Sequence, residues 1–247
     1  MELDGTTAVV TGSSGRLGGA IAKALAQVGC NCICHYNQNK EKAEKLAEQI
    51  QKMGVKSLAI KADLTRPDKI ENLFVKSEKL GTPRILINSA AVFSSGALAE
   101  VTFEEAQKVL NLNLTAPVLA SQAFARIIKG EFGNAESVVG KIINIADVGG
   151  IRPWAGYVLY CSSKAGLIGA TKALAKELAP AICVNSVAAG VVTWPSDFDE
   201  SQKKRQLKFI PARRIAEPND ITAAIIFLLK NDYITGQTLN VDGGRCM

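Results

Sequence analysis

Residues 7–18 constrain this chain more than any other stretch. Thr7-Ala8-Val9-Val10-Thr11 is a short apolar, β-branched run, and Gly12-Ser13-Ser14-Gly15-Arg16-Leu17-Gly18 follows it directly. An alanine-rich amphipathic segment then runs from 19 to 28. A buried strand, a glycine turn and a helix in immediate succession predict the first βα unit of a parallel sheet. The glycines let the backbone approach an anion closely, and the helix N-terminus supplies N–H groups and the positive end of a dipole. A glycine-rich turn alone says little, but in this context it reads as a phosphate cradle. Gly12, Ser14, Arg16, Leu17 and Gly18 are its candidate residues.

The same alternation continues down the chain. Runs at 31–36, 57–60, 85–87, 142–146, 182–187 and 237–241 predict further strands. Helices are expected over 40–53, after Pro67, over 103–129, after Tyr160 and over 218–229. Strands that alternate with helices imply one α/β domain, residues 1–247, with a doubly wound parallel sheet. With 47% hydrophobic residues, the 247-residue chain has material for a sizeable core. An irregular stretch with Trp194, Pro195 and Phe198, then a basic helix, reads as a substrate lid at about 191–212. The net charge of +6 suits an anionic ligand. The longest basic run, Lys203-Lys204-Arg205, reads as a solvated helix face, so nucleic acid is not expected as a partner. Six cysteines form no Cys-x-x-Cys pair, and Cys30, Cys32 and Cys34 alternate along one strand, which is packing usage in a reducing compartment. There is no signal peptide and no apolar run long enough to span a bilayer, so a cytoplasmic protein without membrane contact is expected.

A second feature lies in the middle of the chain. The strand at 142–146 enters Asp147-Val148-Gly149-Gly150, a loop through Arg152-Pro153-Trp154 follows, and Tyr160-Cys161-Ser162-Ser163-Lys164 begins a long helix. Tyr160 and Lys164 are four apart and share one helix face. A phenol titrates near pKa ~10, and an ammonium one turn away is expected to lower that value. The pair is then a general acid–base device. Tyr and Lys at this spacing also occur on helix surfaces by chance, so the rest of the chain decides. Asn113, between Leu112 and Leu114 and ahead of Pro117, reads as a buried polar residue at a helix kink. At the end of the second strand an Asp or Glu would bond both ribose hydroxyls of NAD. Here stand His35, Tyr36 and Asn37, with no acid before Glu41. With Arg16 and Lys40 nearby, that favours the 2′-phosphate of NADPH/NADP+. His35, the single histidine, reads as a packing or ribose-edge residue. No group of residues suggests a metal.

These motifs collect into a resemblance. Thr11-Gly12 with Gly18, Asp63, Asn88 with Ala90, Asn113, Tyr160 to Lys164 and the closing Val241-Asp242-Gly243-Gly244 resemble the short-chain dehydrogenases/reductases in order and spacing. The resemblance implies a Rossmann-type sheet of about seven strands with helices on both faces, a nicotinamide cofactor, a small-molecule substrate and a homotetramer. It implies cofactor contacts at Asp63, Leu64, Asn88, Ala90, Gly190 and Thr193. It implies that Tyr160 delivers a proton, that Lys164 tunes it and holds ribose, and that Asn113 orders the proton path.

Two departures narrow the resemblance, and a further one, Ala189 in place of the usual Pro, bears on the contact implied for Thr193. Arg16 stands where the family's glycine loop has Gly. Asp147 stands where the family places its catalytic Ser, thirteen positions before the Tyr, and Ala146 removes the other frequent Ser. Arg16 with Asp147 looks like the pteridine reductase branch. Phe93 falls where that branch stacks the pterin, and Tyr233-Ile234-Thr235-Gly236 resembles its C-terminal segment. Substrate contacts are then expected at Arg16, Phe93, Asp147, Tyr160 and Trp194. The implied activity is NADPH-dependent reduction of a C=N bond in a dihydropteridine or dihydrofolate. The alternative is a 3-oxoacyl-thioester or other carbonyl reductase, its basic lid helix meeting an acidic carrier protein. A non-catalytic dinucleotide sensor would have lost Tyr160 or Lys164, and both are present.

The missing acid after Tyr36 predicts turnover with NADPH well above that with NADH. Steady-state kinetics with both cofactors checks this, and equal efficiency refutes it.

Overall fold

The structure, a computed structural model, describes residues 1–194 and 198–247. The first βα unit forms as its sequence dictates. β1 (Thr7–Val10) is buried throughout, and α1 (Arg16–Gln27) buries Ile21, Ala22 and Leu25 at helical spacing. β2 (Asn31–Tyr36), α2 (Lys40–Gln51), β3 (Ser57–Lys61) and α3 (Pro67–Ser77) repeat the pattern, with Pro67 starting its helix where no N–H is needed. β4 (Pro83–Asn88), α4 (Phe103–Leu110), α5 (Ala116–Phe132), β5 (Gly140–Asp147), α6 (Val158–Leu178) and β6 (Ile182–Ala189) follow. α7 (Glu200–Leu207), α8 (Pro218–Lys230) and β7 (Thr238–Val241) complete the order.

The seven strands are all parallel, in the order β3-β2-β1-β4-β5-β6-β7. Successive strand residues face opposite sides. Val10, Cys32, Cys34, Ile85 and Ile143 pack against α1, α2 and α8, while Val9, Ile33, Leu86 and Ile142 pack against α3 and α5. The alternating cysteines are therefore core residues, buried and free. The strand order reverses direction between β1 and β4, which opens a crevice at the carboxyl ends of these strands.

Two local features differ from the expected elements. α1 begins at Arg16, three residues earlier than the sequence pattern placed it. The helix expected over 103–129 is two helices joined by a π turn, Asn111–Thr115. Pro117 has no N–H to offer the carbonyl of residue 113, so the regular ladder breaks there. Asn113 sits in that break, 1% exposed.

A buried polar chain crosses the middle of the sheet. Asn88 and Asn144 are register partners on β4 and β5, and Asn88 Nδ2 donates to Asn144 Oδ1 at 2.8 Å. Asn144 Nδ2 donates to Thr171 Oγ1 at 2.9 Å, and Thr171 donates to the Leu167 carbonyl at 2.8 Å. Each group is satisfied, so the chain tolerates burial and fixes α6 over β5. Asn144→Ala removes the short acceptor from the Asn88 amide, which keeps only the longer contacts to the Pro117 carbonyl at 3.4 Å and Ser121 Oγ at 3.5 Å, and it leaves Thr171 Oγ1 without its donor. It should destabilise the protein by about 2–4 kcal/mol, read as a lower urea midpoint at unchanged slope.

Candidate active site

The crevice is a cavity of about 1180 Å³ lined by the ends of β2, β5 and β6 and by the segments that follow β1, β3 and β4. At one end lies the glycine turn. Gly12 has φ +67°, and a Cβ there would lie 2.8 Å from Ala90 Cα. A Cβ on Gly18 would lie 2.5 Å from the Gly12 carbonyl, so glycine lets α1 start against the turn. No side chain caps α1, and its first turn holds no acid. Its N–H groups are left for an anion. Thr11 Oγ1 accepts from Ser89 N at 2.9 Å and Ala90 N at 3.1 Å, holding the end of β4 beside the turn.

Gly12, Ser14, Leu17, Gly18, His35, Asn37, Asp63, Leu64 and Ala90 all line this part of the cavity. Asp63 accepts from Thr65 Oγ1 at 2.7 Å and Thr65 N at 3.0 Å, and these bonds hold its carboxyl below the usual range. No carboxylate stands between Tyr36 and Lys40. A glycine turn with no room for side chains, an uncapped helix end and an acid-free ribose position together fit a dinucleotide carrying an extra phosphate. Gly190, Thr193 and Trp194 line the opposite wall.

Asp147, Tyr160 and Lys164 converge where these walls meet. Asp147 ends β5, and its Oδ1 accepts from Gly149 N at 2.7 Å. Its Oδ2 accepts from the Tyr160 hydroxyl at 2.9 Å. Lys164 is 4% exposed and donates to the Ile145 carbonyl at 2.8 Å. Its Nζ lies 5.8 Å from the centre of the Tyr160 ring. Burial lowers the Lys164 ammonium to about 8, with Asp147 opposing. Burial also raises the Asp147 carboxyl above its ordinary value.

The expected lowering of the Tyr160 pKa is therefore not found, and its shift is upward. Burial raises the phenol pKa, and the charge and hydrogen bond of Asp147 raise it further. The lysine faces a backbone carbonyl, while a carboxylate accepts the phenol's hydrogen bond directly, so the nearer and better-aligned partner wins.

Three other assigned residues, Asn88, Tyr36 and Arg16, do not line the cavity, and Asn113, buried at the kink as expected, has its amide bonded within the scaffold. Asn88 is turned into the sheet toward Asn144, away from the cavity. Tyr36 is 7% exposed and packs in the core. Asn113 Oδ1 accepts from Val92 N at 2.8 Å, and its Nδ2 donates to the Val92 carbonyl at 2.9 Å and Ser163 Oγ at 3.1 Å. Its amide is spent on fixing the loop after β4 to α6, so it is a positioning residue here. Arg16 Nη1 donates to Thr193 Oγ1 at 2.8 Å, bridging the start of α1 and the segment after β6.

The side on which the sequence places substrate contacts is aromatic. Phe93 meets Tyr160 edge-on at 4.7 Å and Tyr157 at 5.1 Å, and Trp154 meets Tyr157 edge-on at 5.7 Å. Trp194 and Phe198 stack at 6.2 Å across the mouth. Of the lid stretch, Pro195 lies outside the described residues, and its basic helix is α7, started by a capping box of Asp199 and Gln202. Sequence reasoning did not assign Trp154, Tyr157, Gln206 or Arg245, which also line the cavity. Arg245 lies over the Trp154 ring at 5.5 Å and donates to Gln206 Oε1 at 2.9 Å. Trp154 could have been found from its place in the loop between Asp147 and Tyr160, but no local pattern marks Arg245. Among the described residues no group of His, Cys, Asp and Glu could hold a metal ion, and no helix is long and apolar enough to cross a membrane.

Known proteins match this arrangement over its whole length. A family model described as enoyl-(acyl carrier protein) reductase matches residues 12–245. A 3-oxoacyl-[acyl-carrier-protein] reductase of Synechocystis is 34% identical, the alignment covering 99% of this chain and 98% of that one. A short chain dehydrogenase from Burkholderia cenocepacia, solved in complex with NADP, superposes with a TM-score of 0.90 at 32% identity, covering 100% of both chains. A blue fluorescent protein from a metagenomic library, solved in complex with NADPH, has a TM-score of 0.90 at 31% identity, again covering 100% of both chains.

If Asp147 governs Tyr160, then Asp147→Asn lowers the phenol pKa relative to the native protein. Tyrosinate ultraviolet absorbance, referenced to Tyr160→Phe, should show no ionisation of Tyr160 below pH ~10 in the native protein. It should show earlier ionisation in Asp147→Asn. Native ionisation below that pH would return control to Lys164.

Proposed function

The chain belongs to the short-chain dehydrogenase/reductase family, and from that membership and the site we propose an NADPH-dependent reductase of flat, pterin-type heterocycles. The observation that carries this reading is the hydrogen bond from Tyr160 to Asp147 at 2.9 Å. Reducing a carbonyl builds negative charge on oxygen, which a hydroxyl donor stabilises and a carboxylate repels. Asp147 stands at the position of that hydroxyl. A ring with C=N bonds presents N–H and NH₂ groups instead, and a carboxylate accepts those. The rings of Phe93, Tyr157 and Trp154 suit a planar substrate.

The residues divide the work by position. The glycine turn and the α1 N-terminus would hold the pyrophosphate, and Asp63 and Leu64 would flank the adenosine. Asn37, without a neighbouring acid, accommodates the 2′-phosphate, and Ala90, Gly190 and Thr193 would flank the nicotinamide. NADPH, when bound, supplies the hydride. Asp147 and Tyr160 hold one proton between Oδ2 and the phenol oxygen and present it to the substrate nitrogen. Lys164, fixed by Ile145, keeps positive charge beneath them and stands ready for ribose. The assembly proposed is the homotetramer.

A second reading, a 3-oxoacyl-thioester reductase, is favoured by the names of the curated relatives. Those names give no support to a pterin substrate. The two readings part at Asp147. Asp147→Ser restores the ordinary family hydroxyl. It should lower efficiency on dihydrobiopterin, by up to ~10²-fold if the carboxylate serves in proton transfer, and raise efficiency on an acetoacetyl thioester. Side-by-side NADPH oxidation assays of both proteins give the ratio. A pterin-to-thioester ratio that does not fall in Asp147→Ser hands the site to the second reading.

A further inference from the structure

His35 is built into the cofactor end of the cleft more tightly than a packing residue requires. It is 2% exposed. Its Nδ1 lies 3.0 Å from Gly12 N, and its Nε2 lies 3.0 Å from the Ala62 carbonyl. The Gly12 N–H can only donate, so Nδ1 accepts. The Ala62 carbonyl can only accept, so Nε2 carries the proton. One form satisfies both, the neutral imidazole protonated at Nε2. The backbone carbonyl of His35 accepts from Ser13 N and from Ser13 Oγ, each at 3.0 Å. Four hydrogen bonds thus join one residue of β2 to the first two residues of the glycine turn and to the residue before Asp63.

We propose that neutral His35 is a positioning residue for cofactor binding, setting the spacing between the glycine cradle and the Asp63–Leu64 wall. This rests on the reading that the cleft takes a nicotinamide dinucleotide. A side chain that only filled space would not need both ring nitrogens bonded to backbone of the segments that follow β1 and β3, the two strands flanking β2.

The same geometry makes the loop sensitive to acid. A proton on Nδ1 would oppose the Gly12 N–H, and burial lowers the His35 pKa to about 4. Asp63, after β3, is the charged group that acts in the other direction. On the ring's own strand the flanking residues are Cys34 and Tyr36, on the glycine turn the neighbours Gly12 and Ser13 carry no charge, and on β3 Lys61 is an exposed cation one place along the register. The folded pKa lies below the unfolded value of ~6.5. The stabilisation is therefore complete above that value and is lost as pH falls toward about 4. Over that window the unfolding equilibrium shifts on the order of a hundredfold.

Three variants test the proposal: His35→Leu removes both ring bonds, and His35→Asn and His35→Gln each offer one replacement. The dissociation constant of NADP+, measured by titration calorimetry at neutral pH, should rise ~10–100-fold in the Leu variant and several-fold less in the Asn or Gln variant. Melting temperatures without cofactor supply a readout independent of the Leu variant's folding. The native protein should lose more stability than His35→Asn between pH ~6.5 and ~4. Unchanged NADP+ affinity in His35→Leu overturns the proposal. So do equal losses in all three variants, or parallel melting profiles. A native protein that binds NAD+ but not NADP+ refutes only the cofactor choice, and the same ranking read with NAD+ still judges His35.

Discussion

The site turns on a single proton contact, from the Tyr160 phenol to the Asp147 carboxylate at 2.9 Å. A phenol beside a cation is an acid made easier to ionise, whereas a phenol bonded to an anion is a proton held more firmly. Here the second arrangement prevails, although the lysine is on the same helix face. The side chain of Lys164 runs past the ring to the Ile145 carbonyl, and burial costs the ammonium solvation that one carbonyl does not fully restore. The Tyr160–Asp147 pair therefore behaves as one coupled acid, and its proton belongs to both residues.

The scaffold serves to make that contact possible. Asp147 ends β5, and Tyr160 lies in the first turn of α6, so the contact depends on how α6 sits on the sheet. Three buried polar groups fix that placement: Thr171 bonded to Asn144, Ser163 bonded to Asn113, and Asn113 bonded to both sides of the Val92 peptide. Gly150 contributes by absence, since a Cβ there would lie 2.7 Å from the Lys164 backbone. The loop between Asp147 and Tyr160 can thus press onto the helix that carries the lysine. Asn88, expected to contact the cofactor, and Asn113, expected to order the proton path, make their bonds one layer behind the cavity.

The fold was legible because its signals are local and repeated. A strand reads from four or five apolar residues, a helix from spacing, and the phosphate cradle from glycines between them. That Asp147, Tyr160 and Lys164 converge was legible because Tyr160 and Lys164 are four apart on one helix and Asp147 falls thirteen positions before the Tyr, where the family resemblance places a catalytic residue. What was not legible depends on direction and distance. The side chain of Asn88 could have faced the cleft or the sheet, and its spacing in sequence does not distinguish the two. Whether Lys164 or Asp147 governs Tyr160 rests on a rotamer, and the ammonium's target is a carbonyl nineteen residues earlier. Arg245 joins the site from the last strand's exit, 98 positions from Asp147. No window of sequence contains both.

Arg245 also bears on why a carboxylate is tolerable where the family resemblance implies a hydroxyl. Burying an anion is costly unless opposite charge or hydrogen bonds compensate it. Asp147 has two hydrogen bonds, from Gly149 and Tyr160, and two cations whose fields favour its charge, Lys164 and Arg245. The guanidinium is held over Trp154 and by Gln206, and its buried Nη1 has no hydrogen-bond partner among the described residues. Its charge is therefore not neutralised by a close ion pair there and remains available to Asp147. A serine in that place would need none of this support. The chain that carries Asp147 thus also carries the hydrogen bonds and cations that oppose the burial raising its carboxyl, and these offset part of the cost of placing an anion there.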